Sequence, residues 1–545
     1  MRSSNGNNLI RSRELISFHA ASQIDKASID LGNSESLLMG LAASAAYHFL
    51  KLRILKSSKS KIIILCGSGN NGGDGLALAS LLIADPDRQL TINKIQTTNQ
   101  LQIFAKLPMR SEASNFFLNR LLRSSIKVQP LTDFTTNHFG YTDLNNKYSN
   151  LIIIDSILGT GQQSPLSSEL ITILQCMKEL KHQGASILSL DLPTGLFENE
   201  YTDFDENLQT TNPPLPNSII TFGFEKLAIA LNSALSTVET HTAVCGFEPQ
   251  AEESILNQQP FRFRRIMAES LDDSYFNQAI LPLFRRQYNS NKYTAGYIWL
   301  IAGEQNMEGA ALLAMNGFLK SGGGYVRLFH PHIESRDRFL NILPSVLYQD
   351  TLLFKEFCHK GKPPHAILIG PGISKETLAF IRDIIFDGLE HLTEKGIRIP
   401  ILLDAAATQL AFDLRYPKEL AATTILTPHS GEWSALGAPE ISSVNQLHQA
   451  IQYLNNRANL LLKGPVTLFA SPFNKECILF PWPESHLSVA GSGDLFAGIL
   501  ASVISRNPKI ELIQLVTAAI ILQHKSALTT MHPEQQLQQL SELLQ

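Results

Sequence analysis

Two short runs in this 545-residue chain hold residue types suited to chemistry on phosphates and cations. In the first, Asn70, Asn71, Gly72, Gly73 and Asp74 put two amides and a carboxylate inside a run that also holds Gly67, Gly69 and Gly75. Glycines let backbone N–H groups approach an anion, and amide and carboxylate oxygens suit a hard cation. In the second, Gly491-Ser492-Gly493-Asp494 opens an apolar stretch. N–H groups at a helix start would there stabilise charge on a transferred phosphoryl group, while Asp494 accepts a hydroxyl proton. The plainer readings are a glycine-rich turn for the first run and a helix-start aspartate for the second.

The elements around these runs place them. Ile62–Leu65 reads as a buried strand and LALASLLIA, after Asp74, as a helix, so the first run is a strand-to-helix turn. It satisfies GxGxxG at Gly67, Gly69 and Gly72. No acidic residue lies in 88–101, around the next strand-like run LTINKI, to hold a ribose, and no Gly-Lys-Ser/Thr follows to make a P-loop. Further strand-to-loop junctions follow at LIIIDSILGTGQQSP, with Asp155, at SILSLDLPTGL, with Asp191 and Thr194, and at NSIITFGFEK, ending at Lys226. Residues of about 10–55 read as helical, with Ser36 able to cap a helix, and about 95–125 as a further helix. From Glu248 the text turns charged and Gln-rich, the pattern of a linker. Domains are therefore expected at 1–250 and 271–545, joined by 251–270. The second half repeats the alternation: YIWLIAG, AILIGPGIS, ILLDAAATQLA with Asp404, TILTPHSGEW with His429 and Glu432, and ANLLLKGPVTLF with Lys463. Strands alternating with helices predict α/β domains with mostly parallel sheets, whose ligands lie beyond the carboxyl ends of the strands. The polar residues just named sit at such ends.

Composition narrows the function. A net charge of −4 with no long basic block argues against nucleic acid as a partner. No apolar run reaches membrane-spanning length, and the first twenty residues lack a signal-type apolar region. Five dispersed cysteines, without a CxxC, read as free thiols of a reducing compartment, so a cytoplasmic location is expected.

GSGNNGGDG, DSILGTG and DLPTGL together resemble the NAD(P)HX epimerase domain, of Rossmann-like three-layer fold. GPG, LTPHSGE, LLKG and AGSGD resemble the NAD(P)HX dehydratase domain, of the ribokinase-like fold. Their order resembles the bacterial bifunctional NAD(P)H-hydrate repair enzymes. The resemblance implies that Asn70, Asn71, Gly72, Gly73 and Asp74, the loop Gly159, Thr160, Gly161, Gln162, Gln163, Ser164 and Pro165, and Asp191 contact hydrated NADH or NADPH (NADHX, NADPHX). It implies K+ bound by Asn71, Asp155 and Thr194, and Asp191 as the acid/base that interconverts the R and S hydrates. In the second domain it implies that Ala310, Gly372, His429 and Asp494 hold the S hydrate. Lys463, Gly464, Pro465, Val466, Thr467 and Gly493 would hold ADP, used with Mg2+. Phosphoryl transfer to the hydrate's hydroxyl and loss of phosphate would then return NADH or NADPH. The family also implies a homo-oligomer.

Four positions depart from the family pattern: Asp404-Ala405-Ala406 for Asp-Ala-Asp, Ala302-Gly303-Glu304 for Gly-Gly-Ser, Pro344-Ser345 for Pro-Glu, and Asn217 for an Asp. With Asp494 and its glycines retained, activity is expected. Two other readings stay open. A ribokinase-like kinase fused to a regulatory domain shares GxGD but not TPHSGE or NNGGDG. A dinucleotide-binding scaffold would bind the hydrate without turnover.

Overall fold

The computed structural model describes residues 11–54, 60–85, 100–124, 126–135, 148–286, 288, 290–482, 487–528 and 532–544. Contacts divide the chain into two compact units. One is Glu14–Arg262 with Ile441–Gln446; the other is Phe263–Glu440 and Leu447–Gln545 with the residues up to Arg13.

In the N-terminal unit seven strands run parallel in the spatial order Val128–Pro130, Leu101–Ala105, Lys61–Cys66, Leu151–Ser156, Ser186–Leu190, Ser218–Phe222 and Glu239–Ala243. Strands buried on both faces need apolar residues at every position, which is why LIII and KIIIL read as unbroken runs. Ile62 and Ile64 face one core, with Leu76 and Leu78 of the helix Asn70–Ala84; Ile63 and Leu65 face the other, with Ile173 and Leu174 of Ser168–His182. This is the expected three-layer α/β unit. The sequence order reverses between Lys61–Cys66 and Leu151–Ser156, which is where such sheets hold ligands.

In the C-terminal unit the order is Leu347–Asp350, Tyr325–His330, Tyr297–Ile301, Ala366–Ile369, Ile401–Leu403, Thr424–Leu426, Asn459–Leu462, Thr467–Ser471 and Glu476–Phe480. The pairs are parallel as far as Asn459–Leu462 and antiparallel beyond it. The helices Glu308–Lys320 and Ser492–Arg506 cross at very close range. A Cβ on Gly498 would lie 2.0 Å from the Ala314 carbonyl oxygen, and one on Gly317 would lie 2.4 Å from that of Leu495. Only glycine permits that approach.

Local readings change in five places. Residues 10–55 hold a strand, Ser12–Ile16, before the helices Phe18–Asp30 and Glu35–Phe49. Ser34, not Ser36, caps the latter, accepting from Leu37 N. The helix expected at 95–125 is the strand Leu101–Ala105 followed by the helix Glu112–Arg123, and LTINKI lies outside the described residues. The Gln-rich stretch after Glu248 contains the helix Pro249–Gln258 and the strand Arg262–Ile266. Finally, the helix after the glycine turn starts at Asn70, so Asn70–Asp74 form its first turn.

Candidate active sites

The N-terminal site grows from that first helical turn. A Cβ on Gly72 would lie 1.9 Å from the Gly67 carbonyl oxygen, and one on Gly67 1.9 Å from that of Ile157. These contacts pull the helix start down onto the neighbouring strand's loop. Gly69 offers no side-chain cap, so the helix opens with free donors, the usual seat of an anion.

A cavity of about 540 Å³ opens there. Asn70, Asn71, Asp74, Gly159, Thr160, Gly161, Gln162 and Asp191 line it. Gly72, Gly73, Asp155 and Thr194 are buried beside it. Gln163, Ser164 and Pro165 are exposed and do not line it.

Asn71, Asp155 and Thr194 are brought together through Leu158. Asn71 Nδ2 donates to Leu158 O at 2.9 Å, and Leu158 N donates to Thr194 Oγ1 at 3.2 Å. Thr194 Oγ1 donates to Asp155 Oδ1 at 2.6 Å and Thr194 N to Asp155 Oδ2 at 2.8 Å. Burial raises the Asp155 carboxyl, against these hydrogen bonds. The buried Asn71 Oδ1 accepts no hydrogen bond among the described residues. An orphaned amide oxygen beside a carboxylate and a hydroxyl is a donor set that fits K+.

Asp191 ends its strand in left-handed backbone, φ 60°, and forms an ion pair with Lys226 Nζ. Burial first, then the charges of Asp191 and Asp25, push the Asp74 carboxyl well above its usual range. Five charged lining residues have no role from sequence: Asp25, Glu35, Lys106, Arg110 and Lys226. Lys226 was legible as the end of a strand junction. Asp25 and Glu35 lie on helices whose placement over the cavity no local pattern encodes. Glu35 holds Asn70, accepting from its Nδ2 at 2.8 Å.

In the C-terminal unit, Gly370 N donates to Ile301 O at 3.1 Å and Gly303 N to Pro371 O at 2.8 Å, which locks the two central strand ends together. Gly372, φ 65°, then packs so closely that a Cβ there would meet the Ala310 Cβ at 2.9 Å. Glu304 is turned onto the next helix, accepting from Ser374 N at 3.0 Å and Ser374 Oγ at 2.8 Å.

A second cluster forms around Asp494. Gly491, φ 86°, starts its helix without a side-chain cap. Lys463 Nζ is 3.1 Å from Asp404 Oδ1 and would be 3.3 Å from a Cβ on Gly493. Asp404 is buried and accepts from Thr427 Oγ1 at 2.6 Å. Burial first, then the charge of Asp404, pushes the Asp494 carboxyl up to about 6, against Lys463. His429 backbone bridges to Lys463, and its Nδ1 caps the helix Ser430–Ala435 by accepting from Gly431 N at 3.0 Å and Glu432 N at 3.3 Å. That leaves Nε2 as the nitrogen carrying hydrogen. The Gly464–Thr467 turn closes on itself, Thr467 Oγ1 donating to Gly464 O at 3.3 Å, with Pro465 and Val466 at its tip.

The departures fall at different distances from these clusters. Asn217 binds Ile187 through backbone and side chain at the amino end of its strand, the end opposite Asp191. Ser345 lies in an exposed turn. Ala405 and Ala406 directly follow Asp404, and Ala405 adopts φ 49°.

Comparison with known proteins gives two matches in this order. Residues 35–228 match the model described as the YjeF-related protein N-terminus, and residues 298–544 the model described as NAD(P)H-hydrate dehydratase. Among curated relatives, the bifunctional NAD(P)H-hydrate repair enzyme of Synechocystis sp. is 26% identical over 93% of this chain and 88% of its own length. Those of Dictyoglomus turgidum and Thermofilum pendens are each 25% identical, over 85% and 87% of this chain and 84% and 83% of their own lengths. The chain thus carries a YjeF-related N-terminal domain followed by an NAD(P)H-hydrate dehydratase domain, and over most of its length it is similar to the bifunctional NAD(P)H-hydrate repair enzymes.

Proposed function

We propose that this protein repairs hydrated NADH and NADPH. The N-terminal site epimerises R and S NAD(P)HX, and the C-terminal site dehydrates the S epimer at the expense of ADP, giving AMP and phosphate. The observation that carries the reading is the Asp494 carboxyl, raised to about 6 beside an uncapped helix start and the Lys463–Asp404 pair. A base with that value is ionised at neutral pH and still basic enough to take a hydroxyl proton.

In this reading the hydrate's hydroxyl lies against Asp494, and Ala310, Gly372 and His429 hold the hydrate. Asp494 takes its proton as the terminal phosphoryl of ADP is transferred. The N–H groups of Gly493 and Asp494 hold the phosphoryl oxygens, and Lys463 with the Gly464–Thr467 turn holds the nucleotide. Mg2+ bound with ADP would neutralise phosphate charge. Phosphate then leaves as the ring nitrogen's electron pair forms C=N+, and loss of a proton from the adjacent ring carbon restores the C=C bond and the neutral ring. At the N-terminal site Asn71, Asp155 and Thr194 would hold K+, which supplies fixed positive charge beside the dinucleotide. The free donors of Asn70–Asp74 and the loop Gly159–Pro165 position the substrate, and Asp191 moves the proton. A homo-oligomer in the cytoplasm fits this reading and the five buried, free cysteines.

The test is purified S-NADHX with ADP, ATP or no nucleotide. Reduced nicotinamide, AMP and phosphate forming in equal amounts with ADP support the reading. A stable phosphoester in place of NADH would support the kinase alternative instead.

A further inference from the structure

The N-terminal cavity contains a carboxyl with no role so far. Asp25 lies on the helix Phe18–Asp30, outside residues 35–228 that match the family model. The helix is seated by Ala20 and Ile24, which pack against Ile16 and Ile255. That seating turns Ala21, Ser22, Asp25 and Ile29, one helical face, to the cavity. Asp25 is thereby open to whatever fills it.

Four charged groups face Asp25 from the packed elements: Asp74, Asp191, Lys226 and Glu35. Lys106 and Arg110 line the same cavity. The nearest cation is already committed. Lys226 Nζ binds Asp191, Thr221 Oγ1 at 3.0 Å and Phe222 O at 3.0 Å. Asp25 has no hydrogen-bond partner among the described residues. The cavity walls around it first, by desolvation, and then Asp191 push its carboxyl up to about 6, although the side chain keeps an exposed face. Of the four carboxyls that line the cavity, Asp25, Glu35, Asp74 and Asp191, Asp191 is paired with a cation and Asp25 is not.

Epimerisation needs two such groups. A dihydronicotinamide ring is an enamine, so water adds at the carbon next to the ring nitrogen and gives a carbinolamine. To invert that carbon, its C–O bond breaks as the nitrogen lone pair forms C=N+, and the departing hydroxyl takes a proton and leaves as water. A water then adds to the opposite face and gives up a proton. One proton is delivered on one face and one removed on the other, so no net proton is consumed. We propose that Asp25 is the second catalytic residue of the epimerase site, protonating the departing hydroxyl while Asp191 takes the proton from the water that adds. In the reverse direction the two exchange roles. The inference rests on the epimerase reading above.

The experiment follows R-to-S conversion chromatographically in the full chain without ADP, with spontaneous epimerisation subtracted. Wild type, Asp25→Asn and Asp25→Glu are compared across the neutral pH range. The expected result is a kcat about 100-fold lower in Asp25→Asn with KM little changed. The wild-type rate should decline above about pH 6, as Asp25 loses its proton. That decline should vanish in Asp25→Asn, and Asp25→Glu should retain it with part of the rate. Asp25→Asn as fast as wild type, slower with the decline intact, or altered in KM alone would each overturn the role of Asp25 and leave the epimerase reading standing. A wild type that does not epimerise overturns both.

Discussion

Replacing Asp494 by Asn should make the C-terminal unit more stable while abolishing its chemistry. The carboxyl stands at about 6 instead of 3.8, with burial the largest cause. A difference of roughly two units penalises the charged form by about 3 kcal/mol, an upper bound on what Asn recovers at neutral pH. The sign fixes the pH window. A carboxyl raised in the folded state favours folding only while protonated, so that contribution is whole below the unfolded value and lost as pH rises through about 6. The gain in Asp494→Asn should therefore be present at neutral pH and vanish toward pH 4. All three tryptophans, Trp299, Trp433 and Trp482, belong to the C-terminal unit, so tryptophan fluorescence during thermal unfolding reads this unit selectively. Dehydration of S-NADHX should fall by about 10²- to 10⁴-fold, the usual worth of a general base. Wild-type kcat/KM should drop about tenfold per unit below pH 6, a limb that Asp404→Asn moves to lower pH by removing a like charge. A less stable Asp494→Asn, or a gain that persists unchanged at pH 4, would refute the electrostatic account.

Three further outcomes are expected. Lys178→Met should destabilise the N-terminal unit by about 3 kcal/mol, because the fully buried ammonium donates to Asp205 Oδ1 at 2.8 Å, Asn207 O at 3.1 Å and Thr210 Oγ1 at 3.1 Å. Calorimetry should register this while the tryptophan transition stays in place. Gly498→Ala should cost the C-terminal unit about 1–3 kcal/mol, since its Cβ would sit 2.0 Å from Ala314 O, and the tryptophan transition should move down accordingly. In Asn71→Ala the epimerisation rate should lose any difference between K+ and a bulky organic cation, whereas in wild type K+ should accelerate it.

Much of this architecture is legible because parallel strands buried on both faces must be apolar throughout. KIIIL, LIIID and AILIG announce themselves, and the glycine or aspartate that breaks each run, Gly67, Asp155 or Gly370, marks the strand's functional end. Where burial is partial, the pattern thins. The strand Arg262–Ile266 buries only Phe263 and Ile266, and the helix Pro249–Gln258 only Ala251 and Ile255, so a charged sequence hides both. Asn70–Asp74 read as a loop because glycine weakens helices, yet the close approach of Gly72 to Gly67 requires glycine inside the helix. The orphaned Asn71 oxygen and the cavity face of Asp25 depend on elements far apart in sequence. His429 illustrates the reverse case: the plain reading of a capping histidine describes its Nδ1, while its Nε2 lies 3.4 Å from Glu432 Oε1.

The central claim, that one chain carries both repair activities at separate sites, is tested most directly by the time course of reduced nicotinamide formed from mixed R and S NADHX with ADP, Mg2+ and K+. Wild type should convert the whole mixture. Asp191→Ala should convert the S fraction quickly and the remainder only at the spontaneous epimerisation rate, and Asp494→Asn should convert neither. A wild type that stops at the S fraction, or an Asp191→Ala that matches the full wild-type course, would contradict the account.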